Sequence, residues 1–199
     1  MAKKTPANIY QLKITLHHSK PPIWRRMLVS GDTKLEQLHM IIQIAMGWWN
    51  AHLHQFIIDR IYYAADLGEF GLDFEDWGGR KLREDNFVLS DLIKTEKKKF
   101  RYEYDFGDSW YHDILVEKIL PPDPNQKLPV CIKGKRACPP EDVGGIYSYD
   151  FFLEAFKDPN HPAHEDYIQW VGEDFDPEAF DLDAINKTLQ EYAKDARLK

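Results

Sequence analysis

Cysteine is scarce in this chain: two residues, Cys131 and Cys138, in 199. That excludes a disulfide-stapled scaffold and a zinc ribbon, which needs two closely spaced cysteine pairs. Long apolar runs are missing too. None approaches the ~20 residues of a membrane span, so no membrane association is expected. Positive charge is in deficit, with a formal net charge of -7. Non-specific binding to nucleic acid rests on phosphate neutralisation, and this balance argues against it, a local basic patch apart. Gly78-Gly79 and Gly144-Gly145 lack the spacing of a phosphate loop. The opening Met-Ala-Lys-Lys-Thr-Pro is polar, without the apolar stretch of a signal peptide. A cytoplasmic location with reduced thiols is the expectation.

Aromatic residues are plentiful: six Trp, ten Tyr and eleven Phe. Such rings fill cores and line recognition grooves. The length suits one domain over 1–199, with 8–120 mainly sheet plus one helix and 146–195 helical. Residues 9–17 alternate apolar and polar as a half-buried strand does. Pro21-Pro22 interrupts, and 23–29 resumes as a hairpin partner. Thr33 and Glu36 have capping-box spacing, before a helix with Leu35, Leu38, Ile42 and Met46 on one face that stops at Gly47. A third strand is predicted over 52–59, running on to Tyr63. Residues 65–87, rich in Gly and acids, are predicted to be a long excursion, with a short helix at 89–94 after them. Strands at 100–105 and 109–120 flank a turn at Gly107. Helices follow, one capped by Ser148, one opened by Pro162 and one capped by Asp181. The predicted class is α+β: a largely antiparallel β-sheet with one N-terminal helix and a C-terminal group of helices packed on it.

Reactive side chains concentrate in 102–145. Asp105 and Asp108 bracket Gly107, and His112 follows on the next strand. Cys131, Cys138, Glu141 and Asp142 lie beyond, ahead of Gly144-Gly145, and His164 comes later at a helix start. Two carboxylates at a turn accept nearby backbone N–H groups; they are also suited to a hard divalent cation. His112 shares a strand face with Trp110, Ile114 and Val116, which predicts a buried imidazole bonded to a carboxylate, the alternative being a ligand or base. The cysteines are predicted to be buried thiols, although Lys133, Lys135 and Arg136 nearby would activate an accessible one. His161 and His164 fit helix-start capping. His52 and His54, on one face of a strand, could meet His112 across the sheet.

Strand alternation sends either Arg25 or Arg26 into an apolar face. A buried arginine calls for a carboxylate, so an ion pair with Asp105, Asp108, Glu141 or Asp142 is expected. The Gly107 turn, the 131–145 segment and the 161–164 helix start are expected to converge on one surface, because binding groups sit on loops held by a rigid scaffold.

Pro22-Ile23-Trp24-Arg25-Arg26, His52-Leu53-His54-Gln55-Phe56, Tyr104-Asp105-Phe106-Gly107-Asp108 and Cys138-Pro139-Pro140-Glu141-Asp142-Val143-Gly144-Gly145, with Asp158-Pro159, His164, Trp170 and Asp176-Pro177, resemble the plasmid pRiA4b ORF-3-like family. The resemblance covers roughly 8 to 190. It implies a compact α+β domain found on plasmids and chromosomes, sometimes beside mobile elements, and no established activity. Some relatives carry resolvase-like names, but this chain shows no basic helix-turn-helix tail. The leading expectation is a non-catalytic binding or interaction module with a protein or small-molecule partner and no obligatory cofactor. The alternative is a metal-dependent hydrolase acting on phosphodiesters, with Asp105, Asp108, Glu141 or Asp142 on a divalent metal and His112 as base.

Overall fold

The computed structural model describes residues 6–65 and 80–196. Its centre is one eight-stranded sheet: β1 (Ile9–Leu16), β2 (Trp24–Ser30), β3 (His54–Ile58), β4 (Ile61–Ala64), β5 (Arg80–Arg83), β6 (Lys99–Tyr104), β7 (Trp110–Leu120) and β8 (Val130–Lys135). The spatial order is β5-β4-β3-β6-β7-β1-β2-β8. Neighbours pair antiparallel except β4 with β5. Helices are α1 (Leu35–Met46), the short α2 (Leu89–Leu92), α3 (Gly145–Lys157), α4 (His164–Val171) and α5 (Leu182–Ala196). The α+β class and the central place of β6 and β7 are as the sequence led us to expect.

Period-two alternation divides the sheet into two faces. Leu12, Ile14 and Leu16 on β1 align with Met27 and Arg25 on β2, and with Val116, Ile114 and His112 on β7. Tyr102 and Phe100 on β6 and Phe56 on β3 continue those rows. All of these are buried. Such an antiparallel sheet buries one face and leaves the other to solvent. On the other face Arg26 bonds Glu117 at 2.6 and 2.8 Å, Gln11 donates to Glu117, Arg101 meets Asp113 and Gln55 meets Glu103.

Several boundaries differ from the sequence reading. The predicted third strand is a hairpin. Asp59 and Arg60 both take positive φ (52° and 65°), the backbone of a tight two-residue turn, so 61–64 folds back on 56–58. The predicted excursion ends in β5, which joins the sheet edge; residues 66–79 lie outside the described residues. Helix α1 starts after Lys34 rather than at the Thr33 cap. Lys34 is held extended by bridging to Val88, and Gln37 Oε1 accepts its N–H. Helix α3 starts at Gly145 rather than after Ser148, because Gly144 turns in the left-handed region (φ 92°). Asp181 does cap α5, accepting the Ala184 N–H at 2.9 Å. No described helix is long and apolar enough to cross a membrane.

Candidate functional site

Three connections meet beside the β6–β7 end of the sheet. The first leaves α1 at Gly47, whose left-handed backbone (φ 88°) terminates the helix. Trp48 turns inward, donates from its indole to Pro139 O at 2.9 Å and stacks on Tyr104. Trp49 turns outward, 86% exposed, while its N–H donates to Glu141 Oε2 at 2.8 Å. The Tyr104 hydroxyl accepts the Ala51 N–H and donates to Glu141 Oε1. Burial and the adjoining Glu141 raise the Tyr104 pKa, so it remains a donor.

The second connection is the turn at 105–109. Asp105 is buried in the left-handed region (φ 56°). Its Oδ1 accepts the Gly107 N–H at 2.9 Å, and its own N–H donates to Leu53 O. Asp108 accepts the Gly144 N–H at 3.0 Å, tying this turn to the third connection, 138–145. There Asp142, also left-handed (φ 63°), points Oδ1 at His52 Nε2, 2.9 Å away. Asp105 Oδ2 lies 3.7 Å from the same nitrogen. One donor atom each from His52, Asp105 and Asp142 falls within 4.8 Å of the others. Ligands at about 2.0–2.5 Å from a shared cation are separated on this scale, and one imidazole with two carboxylates suits a borderline or hard divalent ion.

The candidate residues therefore separate into groups. Asp105, Asp108, Glu141 and Asp142 do come together. The expected turn chemistry of Asp105 and Asp108 is present, and it leaves Asp105 Oδ2 turned toward His52. His112 lies on β7 under Trp48 and Tyr102, fully buried, with Nδ1 bonded to Trp110 O at 2.9 Å and Nε2 without a partner. Its acceptor is a backbone carbonyl, not the expected carboxylate. Burial lowers its pKa to about 4. Cys138 sits between Met46 Sδ and the Arg25 guanidinium, and burial pushes its thiol up to about 11; the Cys131 thiol is raised too. These are inert packing thiols. His164 Nδ1 donates to Ala155 O at 3.0 Å, because a carbonyl oxygen can only accept. Ala155 lies ten residues along α3 from Gly145, roughly 15 Å at ~1.5 Å per residue. His164 thus caps the far end of α3 and does not join the carboxylates.

Neither arginine pairs with the four expected carboxylates. Arg25 is the buried one, and backbone carbonyls satisfy it: Nε to Ala45 O at 2.7 Å, and Nη1 to Trp24 O and Lys135 O at 3.0 Å. Phe180 covers its face. Helix α1 ends at this guanidinium, and unpaired carbonyls at a helix C-terminus attract a cation. Arg26 points to the other face and pairs with Glu117.

His52 is the site residue that the sequence reading placed elsewhere. The sequence pattern puts it on a strand, facing across the sheet. The strand begins at His54, so His52 belongs to the loop and reaches Asp142. Tyr102 stands between His54 and His112. The sequence signal was the Gly47-Trp48-Trp49-Asn50 run, whose helix stop ends too near 52 to leave room for an earlier strand start.

This sheet, its helical cover and the tip built by the YDFGD and CPPEDVGG segments define a member of the plasmid pRiA4b ORF-3-like protein family, whose pattern the chain matches over residues 8–184. The chain is 38% identical over 189 residues to the uncharacterized protein y4hQ of Sinorhizobium fredii (strain NBRC 101917 / NGR234), covering 94% of this chain and 93% of that one. A protein of unknown function, MM3350 from Methanosarcina mazei Go1, shares the fold in its crystal structure: TM-score 0.81, 37% identity, 92% of this chain and 98% of that chain.

Proposed function

We propose that this chain is a cytoplasmic, non-catalytic binding module, and that its binding face is the tip around a divalent cation held by His52, Asp105 and Asp142. The convergence of those three donor atoms carries the reading. Exposed apolar side chains lie on the same three connections and at the start of α3: Trp49, Leu53, Phe106 and Tyr147. Ligand sites set a few convergent polar groups among apolar side chains. Two unpaired, buried thiols suit a reducing compartment. The family's plasmid name supports an association with plasmids, and we extend it to mobile elements.

The second reading is a metal-dependent hydrolase acting on phosphodiesters. Three protein ligands leave coordination positions open to water, as metal-assisted hydrolysis requires. The enclosed His112 cannot be its base.

Titration with Mn²⁺, followed by calorimetry and by the loss of free-ion EPR signal, tests the site. One ion per chain is expected, with affinity falling at least about tenfold, ~1.4 kcal/mol, in His52→Ala and Asp105→Asn. Equal weak binding by the wild type and both variants would overturn it. Mn²⁺-dependent cleavage of bis(4-nitrophenyl) phosphate, lost in Asp105→Asn, would replace the module with the hydrolase.

A further inference from the structure

Helix α3 is aromatic on both of its faces. Inward, Tyr149, Phe152 and Leu153 are buried, and Phe156 packs against the core. That stripe is enough to seat the helix, since a surface helix needs one apolar face and leaves the other polar. Outward, Tyr147 and Phe151 stand about one turn apart, 78% and 48% exposed. Asp150 and Glu154 are exposed on the same stripe, because residues three and four apart are neighbours on a helix surface. The Phe151 ring lies 6.4 Å from that of Tyr167, and Tyr167 lies 6.3 Å from Trp170, which is 46% exposed on α4. Four rings, Tyr147, Phe151, Tyr167 and Trp170, thus run as one band over α3 and α4. Single exposed apolar residues are ordinary, whereas a contiguous group marks an interaction surface.

The charge around the band identifies what it would meet. From Asp150 to Asp183 there are eleven Asp and Glu and one basic residue, Lys157, a formal charge of -10 where the whole chain carries -7. The remainder of the chain is therefore net positive, and the negative charge is gathered on this third. Asp158, Asp176 and Asp181 accept backbone amides, and Glu178 pairs with Arg136. Asp150 and Glu154 on α3, and Asp166 one turn before Trp170 on α4, are exposed and make no ion pair among the described residues. Like charges gathered this way repel one another and cost the folded chain energy. They also repel phosphate and anionic lipid and attract cations. The faces of the rings are electron-rich and favour cations as well. A guanidinium suits both groups at once: its plane stacks on a ring while its fork donates to a carboxylate beside it.

We infer that the band from Tyr147 to Trp170 is a docking surface for an arginine-rich segment of a partner protein. One guanidinium stacks on Phe151 and pairs with Asp150 or Glu154. A second stacks on Trp170 and pairs with Asp166. This goes beyond the cation reading and does not rest on it, since none of these residues holds the ion.

The test measures fluorescence anisotropy of a labelled hexa-arginine peptide with the intact protein at about 0.15 M NaCl, where exposed charges alone are screened beyond ~8 Å. Hexa-lysine and hexa-glutamate are the comparisons. Hexa-arginine should bind at least about threefold tighter than hexa-lysine, and hexa-glutamate should not bind. Phe151→Ala and Trp170→Ala leave the charge unchanged and should each weaken hexa-arginine by about three- to fivefold. Tyr147→Ala, at the most exposed of the rings, gives an independent reading should either of those disturb packing. Asp150→Asn with Glu154→Gln should weaken it as much, and Glu191→Gln, on the exposed side of α5, by less than about twofold. Equal binding of both basic peptides, indifferent to all three ring substitutions, would reduce the effect to net charge and overturn the surface. Binding lost in His52→Ala but kept in Phe151→Ala would move the peptide to the tip and overturn it too. Concentration-dependent dimerisation by sedimentation, abolished by Phe151→Ala, would assign the band to a second copy of the chain instead.

Discussion

Asp108 and Gly144 are joined by a hydrogen bond: the carboxylate Oδ2 accepts the Gly144 N–H at 3.0 Å, 36 residues away in sequence. The next residue closes the junction. A Cβ on Gly145 would stand 2.7 Å from the Asp108 carbonyl oxygen, and its φ of 82° is one that side chains resist. The YDFGD turn and the CPPEDVGG segment therefore form one unit, and Asp142 reaches His52 because of it.

Asp108→Ala should destabilise the fold by about 0.5–1.5 kcal/mol, the net worth of one exposed hydrogen bond at the start of α3. It should also weaken Mn²⁺ binding by misplacing Asp142. Urea denaturation and Mn²⁺ titration of the same variant measure both effects. An unchanged midpoint would mean the bond is replaced by water at no cost.

The two adjacent arginines should behave very differently. Arg25→Ala leaves three carbonyls without their donor and opens a cavity, at a cost on the order of 3–5 kcal/mol. Lysine should not rescue it, because one ammonium cannot reproduce the fork. Arg26→Ala breaks a partly exposed pair with Glu117 and should cost about 1 kcal/mol or less. Similar costs in parallel denaturation curves would contradict the placement of the two side chains.

Stability should fall with acid earlier than carboxylate protonation alone explains. His112 is held neutral by burial, its pKa depressed to about 4 from an ordinary 6.5. Below about pH 6.5 the unfolded chain binds a proton that the folded one refuses, so stability is complete above that value and declines until about pH 4. At ~1.4 kcal/mol per unit the loss from this group is about 3 kcal/mol. His39, lowered to about 3 by burial and by His54, acts in the same direction. Unfolding free energies at a series of pH values from 7.5 to 5 check this, and a flat profile would refute it.

Neither thiol should react in the native state. With Cys138 near 11 and Cys131 also raised, the thiolate fraction at neutral pH is minute, and both sulfurs are buried. An aromatic disulfide reagent should titrate two thiols after denaturation and essentially none before. Fast native labelling would show that the Arg25 guanidinium activates Cys138 instead of packing on it.

Alternation and turn residues were enough to give the α+β class, the central β6–β7 pair, the end of α1 at Gly47 and the Asp181 cap, because each is decided within a few residues of itself. The gathering of Asp105, Asp108, Glu141 and Asp142 was also legible, as a density of reactive groups between glycines and prolines. What the chain could not display locally was decided by tertiary packing. Whether Arg25 finds a carboxylate or three carbonyls depends on where α1 ends over β2. Whether His52 faces a sheet or a carboxylate depends on the exact residue at which β3 begins. Strand β5 enters the sheet only because β4 has already turned back at Asp59-Arg60. The stacking of His39 on His54 joins residues from a helix and a strand whose distance no sequence spacing encodes. Local backbone preferences act over a few residues, whereas a site is made by contacts between segments far apart in the chain, and only the packed core sets those distances.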